Sequence, residues 1–270
     1  IKFIEVCKLK KIDMFLSKLN KFIDLIKAKY MIIFKQKTYK GEKYNINYVF
    51  ERNKSSKDLL IIFTACTKVG QKARYNYVKT VGSFKCNKLF ILDDFGFDFR
   101  GAYYLGKNKD FAIEKDVNSL INEITKEVEA KKMIFMGSSK GGYSALYFGL
   151  PRKDSIIITG APQYRLGSYL NLPGHKKILE YIMGDTSIES IEILDNLMRN
   201  IIESNKKNNN SIYLHYSNNE ETYESDIKPL IEEINRHNFN RYYDLHDYKN
   251  HADLTRYFPN FVKDTLKKYL

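Results

Sequence analysis

Residues 133–142 read MIFMGSSKGG, and this stretch decides the fold. Four apolar residues run directly into a G-x-S-x-G motif formed by Gly137, Ser139 and Gly141. In such a motif the serine stands on a sharp turn between a strand and a helix, and the small residues on either side let strand and helix approach closely. The sequence therefore predicts a strand over 133–136, a nucleophilic Ser139 and a helix over 141–149.

Short, continuous apolar runs recur on both sides of this motif. Such runs are typical of strands buried on both faces, and they cover 59–63, 89–92, 133–136, 156–158, 212–214 and, more weakly, 242–245. Helical periodicity falls between them, over 114–129, 187–205, 222–236 and 253–269. Strands that alternate with helices predict an α/β-hydrolase fold, with a mainly parallel central sheet and helices on both faces.

The first part of the chain has a different pattern. Residues 13–28 carry one apolar stripe at helical spacing, whereas 31–34 and 44–50 have the composition of strands. We expect a helix followed by an antiparallel N-terminal part of the sheet. Because no repeat or linker interrupts the pattern, we expect a single domain over 1–270, in which 1–40 form a helix-and-strand extension.

A glycine-rich turn between a strand and a helix can also bind phosphate. The glycines here do not follow G-x-G-x-x-G, and G-x-x-x-x-G-K-[ST] is absent. The spacing therefore favours a nucleophilic serine over a nucleotide-binding loop.

The sequence has five histidines from which a general base could come. In α/β hydrolases the base follows the acid in chain order. His175 lies too early, His215 falls within a predicted strand, and His237 ends a predicted helix. His251, in the loop between the last strand and the last helix, is the first candidate, and His246, on the strand itself, is the alternative.

The acid of the triad is expected in the loop after the strand near 212–216. Glu220 is the first choice, and Glu221, Glu224 and Asp226 stay open, because a carboxylate near a helix N-terminus is also favourable without any catalytic role. The predicted oxyanion donors are the backbone N–H of Lys140, directly after the nucleophile, and that of Ala65 or Cys66 in the loop after 59–63.

Charge and cysteine content limit the partners and the compartment. The formal net charge of +13 favours anionic partners such as an acidic membrane face or glycan, but scattered lysines argue against nucleic acid. The odd cysteine count and the absence of C-x-x-C argue against disulfides and a zinc site, and we expect no metal.

No apolar run approaches the ~20 residues of a transmembrane helix. We expect a cytoplasmic protein with peripheral contact at the inner membrane face as a further possibility.

Residues 1–6 lack a starting Met and do not form a signal peptide, which is consistent with a chain cut short at its N-terminus.

Several motifs occur in the order found in a known family. From about residue 45 onward the chain resembles the α/β-hydrolase-like proteins of bacterial surface-glycan systems. These include the XcbB/CpsF capsular polysaccharide proteins and the acetyltransferase component of the accessory Sec export system. The motifs are RYNY (74–77), DDFG (93–96), RGAYYLG (100–106), GSSKGGY (137–143), GAPQY (160–164), SNNEETY (217–223), and His251 ahead of YFP (257–259).

This resemblance implies a Ser–His–Glu triad and supports Glu220 over its neighbours. It also implies serine-dependent acyl transfer to a carbohydrate, or ester hydrolysis on one, in surface polysaccharide or glycoprotein biosynthesis. No cofactor is expected beyond an acyl donor such as acetyl-CoA, and glycan-biosynthesis proteins are possible partners. The accessory Sec member is longer, with added regions for its secretion partners, and that difference argues against an export role here.

Four further residues are candidates for binding substrate: Arg74, Arg100, Tyr103 and Tyr104. Tyrosine rings stack on sugar faces, and arginine pairs with carboxylate or phosphate. The alternative is that both tyrosines pack the loop beneath the edge of the sheet. A non-catalytic binding or scaffold protein on the same fold is the competing function, since a fold does not determine a function.

Overall fold

The computed structural model describes the backbone of residues 2–270 and the side chains of residue 16 and residues 18–270. Its strands are β1 (Lys37–Lys40), β2 (Asn45–Glu51), β3 (Asp58–Phe63), β4 (Asn87–Ile91), β5 (Lys132–Ser138), β6 (Ile156–Gly160), β7 (Ser211–Ser217) and β8 (Asn240–His246). Its helices are α1 (Lys2–Phe34), α2 (Val78–Val81), α3 (Ala112–Glu127), α4 (Lys140–Gly149), α5 (Leu166–Leu170), α6 (Lys176–Met183), α7 (Ile188–Asn205), α8 (Lys228–Asn235) and α9 (Leu254–Leu266).

The strands form one eight-stranded sheet in the order β1-β2-β4-β3-β5-β6-β7-β8. From β4 to β8 every neighbouring pair is parallel, while β1 and β2 pair antiparallel with each other and β2 pairs antiparallel with β4. The predicted α/β-hydrolase fold with an antiparallel N-terminal part is therefore confirmed.

The continuous apolar runs arise because the sheet is covered on both faces. Along β3, Leu59, Ile61 and Phe63 enter one buried cluster, and Leu60 and Ile62 enter the cluster on the opposite face. Successive side chains of a strand point to opposite faces of the sheet. A strand whose two faces are both buried therefore needs apolar residues at every position. The first cluster contains side chains of α3, α4, α7 and α8, and the second contains side chains of α1, α2 and α9.

The prediction of a strand over 31–34 was wrong. These residues form the last turn of the helix α1, and the first strand begins at Lys37. Ile32 and Ile33 have the β-branched shape that favours strands. Ala28 and Met31, three residues apart, are nevertheless both buried against the body of the protein, and that spacing fits one face of a helix.

Two findings concern the compartment and the membrane. Cys66 and Cys86 are free thiols, and the side chain of Cys7 lies outside the described residues. In the described part of the chain, no helix combines the length and the apolar character needed to cross a bilayer.

Candidate active site

Ser139 stands on the sharp turn that the motif predicts. It connects β5 to α4 with φ 51° and ψ −122°, outside the common regions for a residue with a side chain. Its own N–H donates to Gly160 O at 2.7 Å, which ties the turn to the end of β6. This backbone conformation lifts the hydroxyl clear of the sheet.

The glycines of the motif are required because the chain approaches itself too closely for any side chain. A Cβ atom on Gly137 would lie 2.3 Å from Gly141 O, and one on Gly141 would lie 2.7 Å from Phe63 O. In both cases the obstacle is backbone, which cannot move aside as the end of a side chain can. Strand and helix can therefore meet at this turn only with glycine at both positions.

Gly141→Ala is expected to lower the free energy of unfolding by about 1–3 kcal/mol, since it forces the backbone of β3 or α4 to shift. Equilibrium unfolding in urea measures the change. Gly174→Ala is the matched control, because a Cβ there meets nothing within 4 Å; its effect should stay within about 0.5 kcal/mol. Equal effects in the two variants would contradict the close approach at the turn.

His251 and Glu220 meet at the carboxyl edge of the sheet. Glu220 follows β7, its side chain is fully buried, and its Oε2 lies 3.2 Å from His251 Nδ1. A carboxylate only accepts hydrogen bonds, so this contact places the proton on Nδ1 and leaves Nε2 as a proton acceptor. His251 Nε2 is buried and has no hydrogen-bond partner among the described residues.

The other carboxylates of this loop have different contacts. Asp226 is buried and accepts hydrogen bonds from the backbone N–H groups of Tyr164 and Arg165, which holds the loop after β6. Glu224 pairs with Lys228 at the surface, 2.7 Å away. Of the candidate acids, Glu220 is the one that contacts His251. His246 ends β8 and lies 3.4 Å from Asp244 instead.

Gln163 is a site residue that the sequence analysis did not single out. Its Nε2 donates to Ser139 Oγ at 3.4 Å, and its Oε1 accepts from the Tyr103 hydroxyl at 3.3 Å. Gln163 is fully buried. It lies in the GAPQY segment directly after β6, and a polar side chain just beyond a buried parallel strand is the signal that could have identified it.

The two candidates for the second oxyanion donor differ in their backbone contacts. The N–H of Ala65 donates to Asn76 Oδ1 at 2.9 Å and is occupied, so the prediction of Ala65 as a donor loses its support. The N–H of Cys66 has no acceptor in the described part of the chain. The N–H of Lys140 is the first of α4, where amides lack intrahelical acceptors.

A buried ion pair lies behind the nucleophile. Lys140 Nζ is 2.6 Å from Asp93 Oδ2, and neither side chain is exposed. Asp93 also accepts from the Ala102 N–H at 2.9 Å. A Cβ atom on Gly101 would lie 2.1 Å from Lys140 Nζ, so the loop after β4 closes tightly over the pair. The pair connects this loop to the residue that follows Ser139.

The two predicted substrate arginines have different partners. Arg74 is near Asp24 of α1, and its guanidinium is 3.4 Å from Gln71 Oε1. Arg100 is almost completely buried, with Nε 2.5 Å from Asp98 Oδ2 and a second nitrogen donating to Thr67 O at 3.2 Å. Arg100 is thus fixed beside the loop that carries Cys66, whereas Arg74 is engaged at the junction with α1.

Tyr103 and Tyr104 do not present ring faces to a sugar. Both are at most 2% exposed. The Tyr104 hydroxyl accepts from the Thr64 N–H and donates to Ile91 O, while the Tyr103 hydroxyl donates to Gln163. Burial raises the pKa of both hydroxyls well above the ordinary value. The prediction that the pair stacks on substrate is corrected: these rings pack and orient the loops around Ser139.

Exposed aromatic rings are found instead in the loop after β4. Phe97 is 69% exposed and Phe99 is 51% exposed. Lys177 Nζ lies over the Phe97 ring at 4.6 Å, and Lys72 Nζ lies over the Phe99 ring at 5.0 Å. Phe97 and Phe99 are therefore exposed aromatic rings with a cation beside each, and such rings can contact a sugar face as was predicted for the two tyrosines.

Two clusters among the described residues could hold a metal ion. They consist of His215, Asp244 and His246, and of Glu203, Glu233 and His237, with ligand atoms within 4.8 Å of one another. His215 Nδ1 already bonds Asp244 Oδ2 at 2.6 Å. Neither cluster includes Ser139, Glu220 or His251.

Comparison with known proteins shows similarity at the level of the fold. No protein-family model and no curated protein sequence matches the chain. The structure is similar to a capsule O-acetyltransferase of Neisseria meningitidis serogroup A, with a TM-score of 0.71 and 20% identity over 85% of this chain and 93% of that one. It is also similar to an S-formylglutathione hydrolase from Agrobacterium tumefaciens, with a TM-score of 0.60 and 14% identity over 86% and 92% of the two chains.

A third similar structure is a Glycosylation Associate Protein (Gap123) complex from Streptococcus agalactiae. The TM-score is 0.70 and the identity is 19%, and the match covers 87% of this chain but 47% of that one. The resemblance to proteins of surface-glycan systems therefore extends to three-dimensional structure, and the chain has the fold of the α/β serine hydrolases.

Proposed function

We propose that this protein is a serine-dependent acyltransferase or esterase that acts on a carbohydrate, with Ser139, His251 and Glu220 as its triad. One observation carries the proposal. A buried carboxylate contacts Nδ1 of His251, on the fold that places Ser139 on a nucleophile turn.

The proposed reaction begins with proton transfer. His251 Nε2 takes the proton from Ser139 Oγ as the oxygen attacks the carbonyl carbon of the acyl donor. Glu220 keeps the proton on Nδ1 and stabilises the positive charge of the imidazolium. The carbonyl oxygen becomes an oxyanion, which the N–H groups of Lys140 and Cys66 would bind.

The second half of the reaction decides between transfer and hydrolysis. Collapse of the tetrahedral species expels the donor's leaving group, which takes the proton from His251, and leaves an ester on Ser139. A sugar hydroxyl or a water molecule then attacks this ester and gives its proton to His251. The second tetrahedral species collapses, the bond between the acyl carbon and Ser139 Oγ breaks, and His251 returns the proton to the serine oxygen. Gln163 donates to Ser139 Oγ and is bonded to Tyr103; we assign it the role of positioning the serine.

The carbohydrate class rests on similarity. One similar protein is a capsule O-acetyltransferase, and another is a complex associated with glycosylation. We propose an O-acyl group, such as acetyl from acetyl-CoA, as the transferred group, and glycan-biosynthesis proteins as partners. The exposed, cation-bordered rings of Phe97 and Phe99 supply a surface that suits a sugar face or an anionic glycan.

Labelling with a fluorophosphonate, read by intact mass, tests the proposal. We expect one adduct on the wild-type protein, one on Ser138→Ala and none on Ser139→Ala, since the alanine keeps the Cβ atom but lacks the nucleophile. Unchanged circular dichroism would show that the Ser139→Ala protein is folded. An adduct on Ser139→Ala would contradict the assignment of the nucleophile.

A second function has one observation in its favour. Ser139 Oγ bonds Gln163, and among the described residues His251 Nε2 has no hydrogen-bond partner. In a binding or scaffold protein with the hydrolase fold, the serine hydroxyl would not need to be hydrogen-bonded to the histidine. The absence of any adduct on the wild-type protein would favour this function over the first.

A further inference from the structure

The helix α1 carries an exposed apolar stripe along the side that faces solvent. We call it the outer stripe, and its residues are Leu16, Leu19, Phe22, Ile26, Tyr30 and Ile33. Each follows the previous one by three or four positions, so all six lie on one face of the helix. They are between 43% and 68% exposed. A contiguous apolar surface of this kind marks an interaction site rather than ordinary surface variation.

The orientation of the outer stripe is fixed by contacts on the opposite side of α1. Ala28 and Met31 are buried against the body. Asp24 Oδ1 and Oδ2 accept from the backbone N–H groups of Lys79 and Tyr77 at 2.8 and 3.1 Å. Because these bonds fix the rotation of the helix, it cannot turn its apolar face inward.

Lysines border the outer stripe on both sides. With a helical advance of about 100° per residue, Lys18 and Lys29 fall along one edge, and Lys27 falls along the other. Further lysines follow at Lys35, which pairs with Glu51 at 2.9 Å, and at Lys37, and all of these lysines are exposed. Asp24 is the one acidic residue between positions 16 and 41, and its carboxylate is bound to the body. Along the helix, the face therefore presents apolar side chains flanked by the positive charges of Lys18, Lys27 and Lys29.

We propose that the outer stripe docks onto an anionic lipid surface, with α1 lying in the plane of the membrane interface. An apolar face with a basic border is the pattern of helices that bury their apolar side chains among lipid headgroups while their lysines contact anionic phosphates. The arrangement needs no membrane-crossing helix, and it holds the sheet at a fixed angle to the surface.

A second copy of the same face is the competing occupant. Two such faces in contact would bring Lys18, Lys27 and Lys29 of one copy close to those of the other, and like charges in contact destabilise an interface. An anionic surface reverses that balance, since every bordering lysine then contributes attraction. Charge complementarity therefore selects the lipid surface over self-association.

Vesicle flotation with the full chain tests the docking. We expect binding to vesicles of equal parts phosphatidylglycerol and phosphatidylethanolamine, and little binding to phosphatidylcholine vesicles. Phe22→Glu/Ile33→Glu should lose at least about tenfold in partitioning, since two large apolar side chains no longer insert. Lys18→Gln/Lys29→Gln should weaken binding to the anionic vesicles, and added salt should do the same.

Ile188→Glu is the matched control, because Ile188 is 77% exposed at the start of α7, away from the outer stripe. It should bind vesicles as the wild type does, and all variants should keep the wild-type melting temperature. Failure of the wild type to float with anionic vesicles, or undiminished binding of Phe22→Glu/Ile33→Glu, would overturn the proposal. A wild-type dimer that this variant makes monomeric, without vesicle binding by either, would assign the face to a second copy.

Discussion

Replacing His251 with alanine is expected to slow acylation of Ser139 by about 10⁴-fold or more. Without the imidazole, no group takes the proton from the serine hydroxyl, whose ordinary pKa is far above neutrality. The buried carboxylate of Glu220 would also lose the ring that it contacts at 3.2 Å. The rate of fluorophosphonate labelling, or of hydrolysis of an activated acetyl ester, measures the effect.

Variants of Glu220 and His246 test which residues act as the acid and the base of the triad. Glu220→Gln should cost up to about 10⁴-fold, because an amide can donate to Nδ1 and hold the wrong tautomer of His251. His246→Ala is the matched control, since His246 contacts Asp244 at the end of β8; its rate should stay within a few-fold of the wild type. If His246→Ala were as slow as His251→Ala, the assignment of the base would be wrong.

Much of this arrangement could be predicted from local sequence. Apolar runs such as 59–63 and 133–136 identify strands that are buried on both faces, because their side chains pack alternately into the clusters on the two sides of the sheet. The turn at Ser139 follows from glycine spacing, since a Cβ atom on Gly137 or Gly141 would lie 2.3 Å or 2.7 Å from a backbone oxygen. The choice of His251 as the candidate base rests on chain order, because successive parallel strands of this fold end in loops at the same edge of the sheet.

The remaining features depend on contacts between distant residues, which local patterns do not encode. The run 31–34 has strand-forming residues, but packing against the body makes it helical. Tyr103 and Tyr104 have suitable chemistry for sugar binding, yet the loop after β4 folds them inward. Asp93 and Lys140 are separated by 47 positions, and no periodicity indicates that such residues pair.

Breaking that buried pair is expected to produce the largest loss of stability among these variants. Asp93→Ala leaves the Lys140 ammonium without its partner in a site with no solvent contact, and removing one member of such a pair costs about 3–5 kcal/mol. The variant also loses the acceptor for the Ala102 N–H. Urea unfolding should record the decrease in the free energy of unfolding.

Two comparisons distinguish a buried charge from a simple loss of contacts. Asp264→Ala removes a carboxylate from a solvent-exposed pair with Lys267, and its cost should stay within about 1 kcal/mol. Asp93→Leu/Lys140→Met replaces both charges with apolar groups and should recover a large part of the stability lost in Asp93→Ala. A double variant no more stable than the single one would mean that the cost comes from packing and from the Ala102 hydrogen bond.

The pair should also affect catalysis, because Lys140 has two separate roles. Its side chain is fixed by Asp93, and its backbone N–H is the proposed oxyanion donor directly after Ser139. If the pair positions that N–H, Asp93→Leu/Lys140→Met should acylate more slowly than the wild type even when fully folded, by about tenfold to a hundredfold. Wild-type rates in the stable double variant would restrict the pair to holding the loop after β4.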